Sequence, residues 1–368
     1  MKTMRRLIYG EILVAVAFVT LGFLSLFFFF DLVEEIQSVG RHAATGYKLV
    51  HALSYVALII PSHLYELMPI AVLIGTIFVM ARLAQSSEFT ILRTSGLGPG
   101  RALKSLLILG LGFVVLTFAL GDYVSPAADR TAQLLKARYT GRITVGQTGA
   151  WLKEKQNGGQ FAVNVGELAS DGVLHDIRIF EFDTRGFLMS MMQAQSASVS
   201  DDASWQLLQV QRTEFPAEGA TTASIDRSQL ETLRWPNQLS ADMVAAALLK
   251  PERMRTIDLF QYIAHLQSNA QAAQRYEIEF WKKVFYPLSC LVMVVLALPF
   301  AYLHFRAGSI TTYVFGGVMA GISFFLLNNV FGYIGNLQNW QPWLTAAMPG
   351  MIYSVLSLTA FGWLVLRR

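Results

Sequence analysis

Apolar residues along this chain are gathered into long uninterrupted stretches, unlike the short periodic runs of a soluble core. Such stretches occupy residues 12–30, 53–81, 103–120, 284–303, 310–333 and 343–366. At 1.5 Å of rise per residue, about 20 apolar residues cross a ~30 Å hydrocarbon layer, so the pattern predicts six membrane-spanning helices. Residues 307–366 hold no ionisable side chain except tyrosine, and a turn at 335–342 divides them into two helices. The stretch at 12–30 is too long for the apolar core of a cleavable signal and no small-residue cleavage site follows it; it is expected to stay as the first span.

Between spans three and four the pattern changes period. Phe161, Val163 and Val165 alternate with polar residues, as do Ile177 and Ile179, with a slip before Phe182; Trp205 and Leu207 open a further run. Asn157-Gly158-Gly159, Asp171-Gly172, Arg185-Gly186, Asp201-Asp202 and Glu218-Gly219 punctuate these runs as turns. Several short strands so spaced predict a sandwich or jelly roll. From Thr256 the helical period returns, with Leu259, Tyr262, Ile263 and Leu266 on one face, and leads into span four. The expected fold is therefore a membrane α-helical protein of 3+3 spans with an inserted β-jellyroll domain. Its parts are residues 1–124 (spans one to three), 125–255 (the β domain) and 256–368 (a connecting helix and spans four to six).

Composition supports the membrane reading: 54% of residues are hydrophobic, 15% are charged and mean hydropathy is +0.43. The formal charge of +4 and pI near 9.1 do not amount to a nucleic-acid surface, because no Lys/Arg stripe interleaves with aromatics. The basic residues instead set topology. Lys2, Arg5 and Arg6 precede span one; Arg82, Arg93, Arg101 and Lys104 lie between spans two and three; Arg306 follows span four; Arg367 and Arg368 end the chain. Lys and Arg mark cytoplasmic loops, so both termini are expected in the cytoplasm and the β domain in the periplasm of an inner-membrane protein. Lys282 and Lys283, at the outer end of span four, read as snorkelling residues. The single cysteine, Cys290, forms no internal disulfide or multi-thiolate site and reads as packing.

No phosphate-loop motif is present, so ATP hydrolysis is not expected of this chain, and H-E-x-x-H, G-x-S-x-G and C-x-x-C are likewise absent. No catalytic residue and no metal site are expected. Residues 86–96 form a short capped helix: Ser86 or Ser87 caps it, Glu88 suits its positive end, and Gly96 with Pro99 stops it. Phe89 and Leu92 share one face. Such a helix either meets a soluble motor or rests on lipid headgroups. Glu66 falls near the outer interface, as a wet structural carboxylate or a proton relay, between Pro61 and Pro69, which are expected to kink or break span two. Gly316, Gly317 and Gly321 in span five allow close helix approach, within the chain or to a partner subunit. Asn328 and Asn329 could bond across helices or line a cavity. Arg130, Lys136, Arg138 and Arg142, interrupted by Asp129 alone, form either a solvated helix face or a site for phosphorylated headgroups.

Several segments together resemble the LptF/LptG lipopolysaccharide-export permease family. They are residues 30–36 with Gly40, residues 65–71 with 73–75, Ser87-Glu88-Phe89 with Arg93, Ser95 and Gly96, residues 121–124 with Pro126, and Lys283 with Pro287 and Pro299-Phe300. The resemblance spans nearly the whole chain and is weakest in the β domain. It implies the permease of an ABC exporter that takes lipopolysaccharide from the inner membrane toward a periplasmic bridge. The implied partners are LptF in a heterodimer, an LptB dimer that carries ATP and Mg, LptC with its single helix and jelly roll, and the bridge protein LptA. On the same ground Glu88, Phe89, Leu92 and Arg93 would seat in LptB. Spans one and five would enclose a lipid cavity, with Phe27, Phe28, Phe30, Met68, Phe324 and Phe325 as acyl-chain contacts. The family carries basic residues at the outer end of span one, where this chain has Asp31, Gln37 and Ser38. Lys136 does fall where the family has a basic residue, which places the headgroup contact there.

Two other functions fit the spans: a lipid-modifying enzyme using His63, Glu66 and the basic cluster, or a membrane scaffold with an extracytoplasmic domain. The coupling assignment predicts that Glu88→Ala or Arg93→Ala lowers ATPase activity or complex recovery; full lipopolysaccharide export by both variants would remove it.

Overall fold

The computed structural model of the 368-residue chain describes residues 2–41, 43, 46–86, 91, 98–140, 150–156, 159–169, 172–200, 204–216, 224–237, 239, 243–244, 251–269, 271–302 and 310–363. Among these, six helices are long and apolar enough to cross a membrane, matching the six expected. The chain forms two compact units. The first comprises Met1–Glu35, Val56–Ala128 and Glu277–Arg368, and the second Ile36–Tyr55 and Asp129–Tyr276.

The helices exceed the apolar stretches that predict them. Helix α1 (Lys2–Arg41) has 40 residues, about 60 Å of helix, and α2 (Leu49–Gln85) has 37. α2 continues through Pro61 and Pro69, so of the expected kink or break the break does not occur. α3 (Pro99–Ala119) starts on Gly98 with Pro99 in the first turn, where a missing N–H costs nothing. It passes through a π-helical turn, Leu120–Val124, into α4 (Ser125–Thr140), so residue 125 lies within continuous helix.

In the first unit α2 is the inner element. Of its most apolar window 83% is buried, against 17% for α1 and for α7 (Ile310–Leu337). One side of α2 supplies Met68, Val72 and Met80 to a core with Ile12 and Val16 of α1, Leu106 and Phe113 of α3, and Val294 of α6 (Gln274–Ala297). Its other side supplies Leu73 and Ile77 to a second core with Met293, Phe324 of α7 and Tyr353 of α8 (Pro342–Phe361). A side chain at Gly75 would meet the Val16 backbone at 2.8 Å, so glycine is what lets α1 lie directly on α2. Cys290 is buried 3.3 Å from the Thr117 hydroxyl, a packing residue as expected.

The second unit holds the expected β insertion. β1 (Ala150–Gln156), β2 (Gly159–Leu168), β3 (Leu174–Phe182), β4 (Leu188–Ser200), β5 (Ser204–Glu214) and β6 (Asp226–Pro236) form one antiparallel sheet in consecutive order. The connectivity of the described strands is thus a meander. It coils as a jelly roll does: Gln156 Nε2 donates to the Pro236 carbonyl at 2.7 Å, and the Phe161 and Trp235 rings lie 5.8 Å apart, so the first strands meet the last. Inside lie Leu152, Val163, Ile177, Ile179, Leu207 and Trp205, whose indole donates to the Leu239 carbonyl at 2.8 Å. At the β3–β4 turn the Asp183 carboxylate accepts the N–H groups of Phe187 (2.9 Å) and Arg185 (2.8 Å), bonds that hold its carboxyl below the usual range.

Helix α5 (Thr256–Ser268) closes the open edge of β1. Asn269, just past its end, accepts the Lys155 N–H at 2.8 Å, occupying a donor that an open edge would leave free. His265, in the last turn, is buried, and burial lowers its pKa against the opposing pull of Glu154. The folded domain then binds this proton less readily than the unfolded chain does. Stability is full above about pH 6.5 and declines as pH falls below that value, since the unfolded state takes up the proton first. Thermal melting from pH 7.5 to 5 is expected to show a decline that His265→Gln flattens; an unchanged slope in the variant would remove this assignment.

Candidate functional site

Charged side chains of the first unit gather at the two ends of its helices. At the end carrying the N-terminus and the α2–α3 connection, Arg82 pairs with Glu11 at 2.6 Å. Tyr9 donates to the Ser105 carbonyl at 2.6 Å. These contacts tie α1, α2 and α3 together beside the segment expected to meet an ATPase. Glu88, Phe89, Leu92 and Arg93 lie outside the described residues. Within that segment the described Ile91 is helical and exposed.

The opposite end, where α3 runs on toward the inserted strands, is more elaborate. Asp31 of α1 and His63 of α2 are 2.7 Å apart, and the imidazole stacks on Phe27 at 4.7 Å. Asp31 thereby joins spans one and two, which gives a structural use to the carboxylate standing where the family carries basic residues. The Ser62 and Ser125 hydroxyls are bonded at 2.6 Å. Lys283 is not the snorkelling residue expected of it. It is 7% exposed and donates through Nζ to the Gly121 carbonyl at 2.9 Å. The cause is the π turn, whose widened ladder loosens the i→i−4 bonding around Gly121 and leaves its carbonyl open to a side-chain donor. Any Cβ at Gly121 would enter the Tyr65 ring, so glycine admits Tyr65 here, and the Lys283 ammonium lies 5.9 Å from that ring. Tyr286 donates to the Glu66 carbonyl at 2.5 Å, and the Glu66 side chain is exposed. Lys282 pairs with Glu279 at 2.6 Å.

The expected headgroup cluster belongs to the second unit. Lys136 lies over the Tyr55 ring at 4.6 Å. One turn away on each helix, Tyr139 OH and His51 Nε2 are 3.0 Å apart with their rings stacked at 4.3 Å, and Tyr47 closes the group at 5.5 Å from Tyr139. His51 Nδ1 accepts the Lys48 N–H at 3.1 Å, which puts the neutral-ring proton on Nε2, directed at Tyr139. Lys136 is thus held by an aromatic face, while Arg130 is exposed; the Arg138 side chain and Arg142 lie outside the described residues. The alternation of charge in the sequence did not reveal Tyr55, His51 or Tyr139. Their i, i+4 and i, i+3 spacings against Lys136 carried the signal, and it becomes visible only when α2 and α4 are known to lie together.

The candidate acyl-chain residues divide. Met68, 3% exposed, and Phe324, 2% exposed, are packed among this chain's own helices, and for them packing replaces the expected cavity role. Phe30 and Phe325 are exposed, while Phe27 and Phe28 are half-buried. The glycines of span five divide as well. A side chain at Gly317 would meet Ile77 and one at Gly321 would meet Ile70, so both seat α7 on α2, whereas Gly316 faces open space.

Among the described residues, six apolar helices, one of them sheathed by the others, and an inserted antiparallel sheet define a multi-pass membrane protein with a β domain. Residues 6–366 match the family of lipopolysaccharide export system permeases LptF/LptG, and the chain belongs to it. Curated relatives include the lipopolysaccharide export system permease protein LptG of Escherichia coli (strain K12), 27% identical over 339 residues that make up 91% of this chain and 90% of the relative. The protein of that name from Haemophilus influenzae (strain ATCC 51907 / DSM 11121 / KW20 / Rd) is 28% identical over 371 residues, covering 100% and 99%.

The close fit at the π turn yields a paired test. Gly121→Ala is expected to destabilise the chain by about 1–3 kcal/mol through overpacking, read as a lowered melting temperature in detergent. Adding Tyr65→Leu should recover part of the loss; no recovery would show that Tyr65 is not the obstacle.

Proposed function

We propose that the chain is the LptG-type permease of an ATP-binding-cassette exporter, paired with LptF and driven by two LptB ATPases, with LptC and LptA receiving the lipid on the periplasmic side. Membership of the permease family along residues 6–366 is the observation that carries this reading. The named relatives are LptG proteins matched along nine-tenths or more of their length. In this reading ATP and Mg belong to the partner, which accords with the lack of a phosphate-loop motif in this sequence. Basic residues in the short loops support cytoplasmic termini and a periplasmic β domain.

The exposed apolar faces of α1 and α7 supply the cavity wall that an amphiphile needs. α1 shows Phe18, Leu21 and Phe30; α7 shows Phe315, Ile322 and Phe325. A second copy of such a wall, from LptF, would complete an enclosure for acyl chains. Lys136, steadied by Tyr55 in the second unit, meets a phosphorylated headgroup by charge-assisted hydrogen bonding. Closing of the cavity, driven through residues 88–93, would then lift the lipid toward the β domain. This chain binds, orients and encloses; the partner supplies the energy.

Reconstitution with LptF and LptB tests the reading: lipopolysaccharide is expected to stimulate ATPase activity and to leave the vesicle in an ATP-dependent manner. Lys136→Ala should weaken lipopolysaccharide binding by roughly tenfold, the scale of one hydrogen bond to a charged group. Tyr55→Phe, which keeps the ring face, should bind as the parent does, and Tyr55→Leu should fall between. No ATP-dependent release in the assembled complex would overturn the assignment.

A further inference from the structure

The outward face of the coiled sheet carries a feature that lipid transport through a cavity does not use. Registers place Gln193 of β4 opposite Gln211 of β5, and Gln211 opposite Gln229 of β6, so three glutamines form one ladder across three strands. The same row continues the other way through Arg178 and Asn164 to Trp151 of β1. Trp151 is 54% exposed and stacks on Phe180, their rings 5.8 Å apart and 22° from parallel.

Beside the ladder the sheet is creased. Ladder pairing skips one residue on every strand from β2 to β6, along the line Gly166, Asp176, Gln195, Gln209 and Glu231. Two consecutive residues then fall between buried ones on β3, β4 and β5, and a shallow groove of about 770 Å³ opens between ladder and crease. The crease is built into the backbone. Asp176 and Gln209 hold φ of 50°, a left-handed conformation unfavourable for side-chain-bearing residues, and a Cβ at Gly166 would lie 2.8 Å from that of Asp176. Strain of this kind is retained where the resulting surface has a use.

The chemistry of the lining narrows that use. Side-chain amides donate and accept at once, and carboxylates accept, which is the complement of vicinal hydroxyl groups. The exposed indole supplies a flat apolar face, which suits the C–H face of a sugar ring. Within the groove, which is lined by Asp176 and Glu231 and by no lysine or arginine, anions are disfavoured; Arg178 stands in the row between the groove and Trp151. A metal ion is disfavoured as well, because these two carboxylates stand on β3 and β6, three strand spacings or ~14 Å apart. We propose that the Gln193–Gln211–Gln229 ladder with Trp151 is a binding face for a neutral, hydroxyl-rich saccharide. The saccharide could be that of the transported lipid or a separate envelope glycan; the chemistry is shared.

The test uses the full chain in a sugar-free amine-oxide detergent, with two lipid-free neutral probes, cellohexaose and an outer-core hexose oligosaccharide released from lipopolysaccharide. Binding is followed by calorimetry and by saturation-transfer NMR. At least one probe is expected to bind, and Gln211→Ala/Gln229→Ala should bind it on the order of tenfold more weakly, as for the loss of two neutral hydrogen bonds. Trp151→Ala should weaken it similarly. Unchanged melting temperatures establish that these surface variants are folded, and the probe preferred identifies the source of the sugar. If neither probe binds, or if binding survives both variants unchanged, the proposal is overturned. Lipopolysaccharide-stimulated ATPase activity in the same variants distinguishes this face from the permease reading, since that activity is expected to persist whether or not the saccharide binds.

Discussion

Burial of α2 by its own chain is the constraint on which the membrane unit depends. A helix surrounded by helices cannot use lipid to fill its gaps, so every neighbour must fit it by shape. Glycine does this at Gly75 for α1 and at Gly317 and Gly321 for α7, while the Tyr65 ring fits over Gly121 for α3. With α2 enclosed, α1 and α7 keep most of their apolar surface on the outside, the arrangement expected of a subunit that shares a lipid-facing wall with a partner.

Backbone groups in hydrocarbon must be satisfied within the helix, which drives polar chemistry toward the ends of the bundle. The structure follows this rule and also shows a planned departure from it. The π turn in α3 opens the Gly121 carbonyl, and Lys283 answers it from α6. A buried ammonium is tolerable when its proton donors meet carbonyl oxygen and an aromatic face. Asp31 and His63 make the corresponding link between α1 and α2. In the second unit the comparable device is the aromatic seat of Lys136, whose ammonium lies over the Tyr55 ring.

The β insertion applies a different solution to its own edges. Its first strand is covered by Asn269 at the end of α5, and coiling brings Gln156 to Pro236 across the sheet. The crease runs across this same sheet from β2 to β6 and leaves polar residues on its outer side.

The six spans, the inserted β domain and the family were legible in the chain because they depend on local runs: continuous apolar stretches, period-two alternation, and short motifs. Phe161, Val163, Ile177, Ile179 and Leu207 face the core as their alternation predicts. β1 and β6 were harder to see, since β1 mixes Trp151 with Lys153 and Lys155 on its outward side and β6 is exposed along most of its length. Lys283 read as interfacial and proved buried, and Met68 and Phe324 read as cavity residues and proved to be core. In each case sequence fixes a residue's polarity and its height in the membrane, because both follow from composition along one helix. Which way that residue turns is decided by the neighbouring helix, and only tertiary packing, through glycine contacts, a π turn and strand register, determines the neighbour.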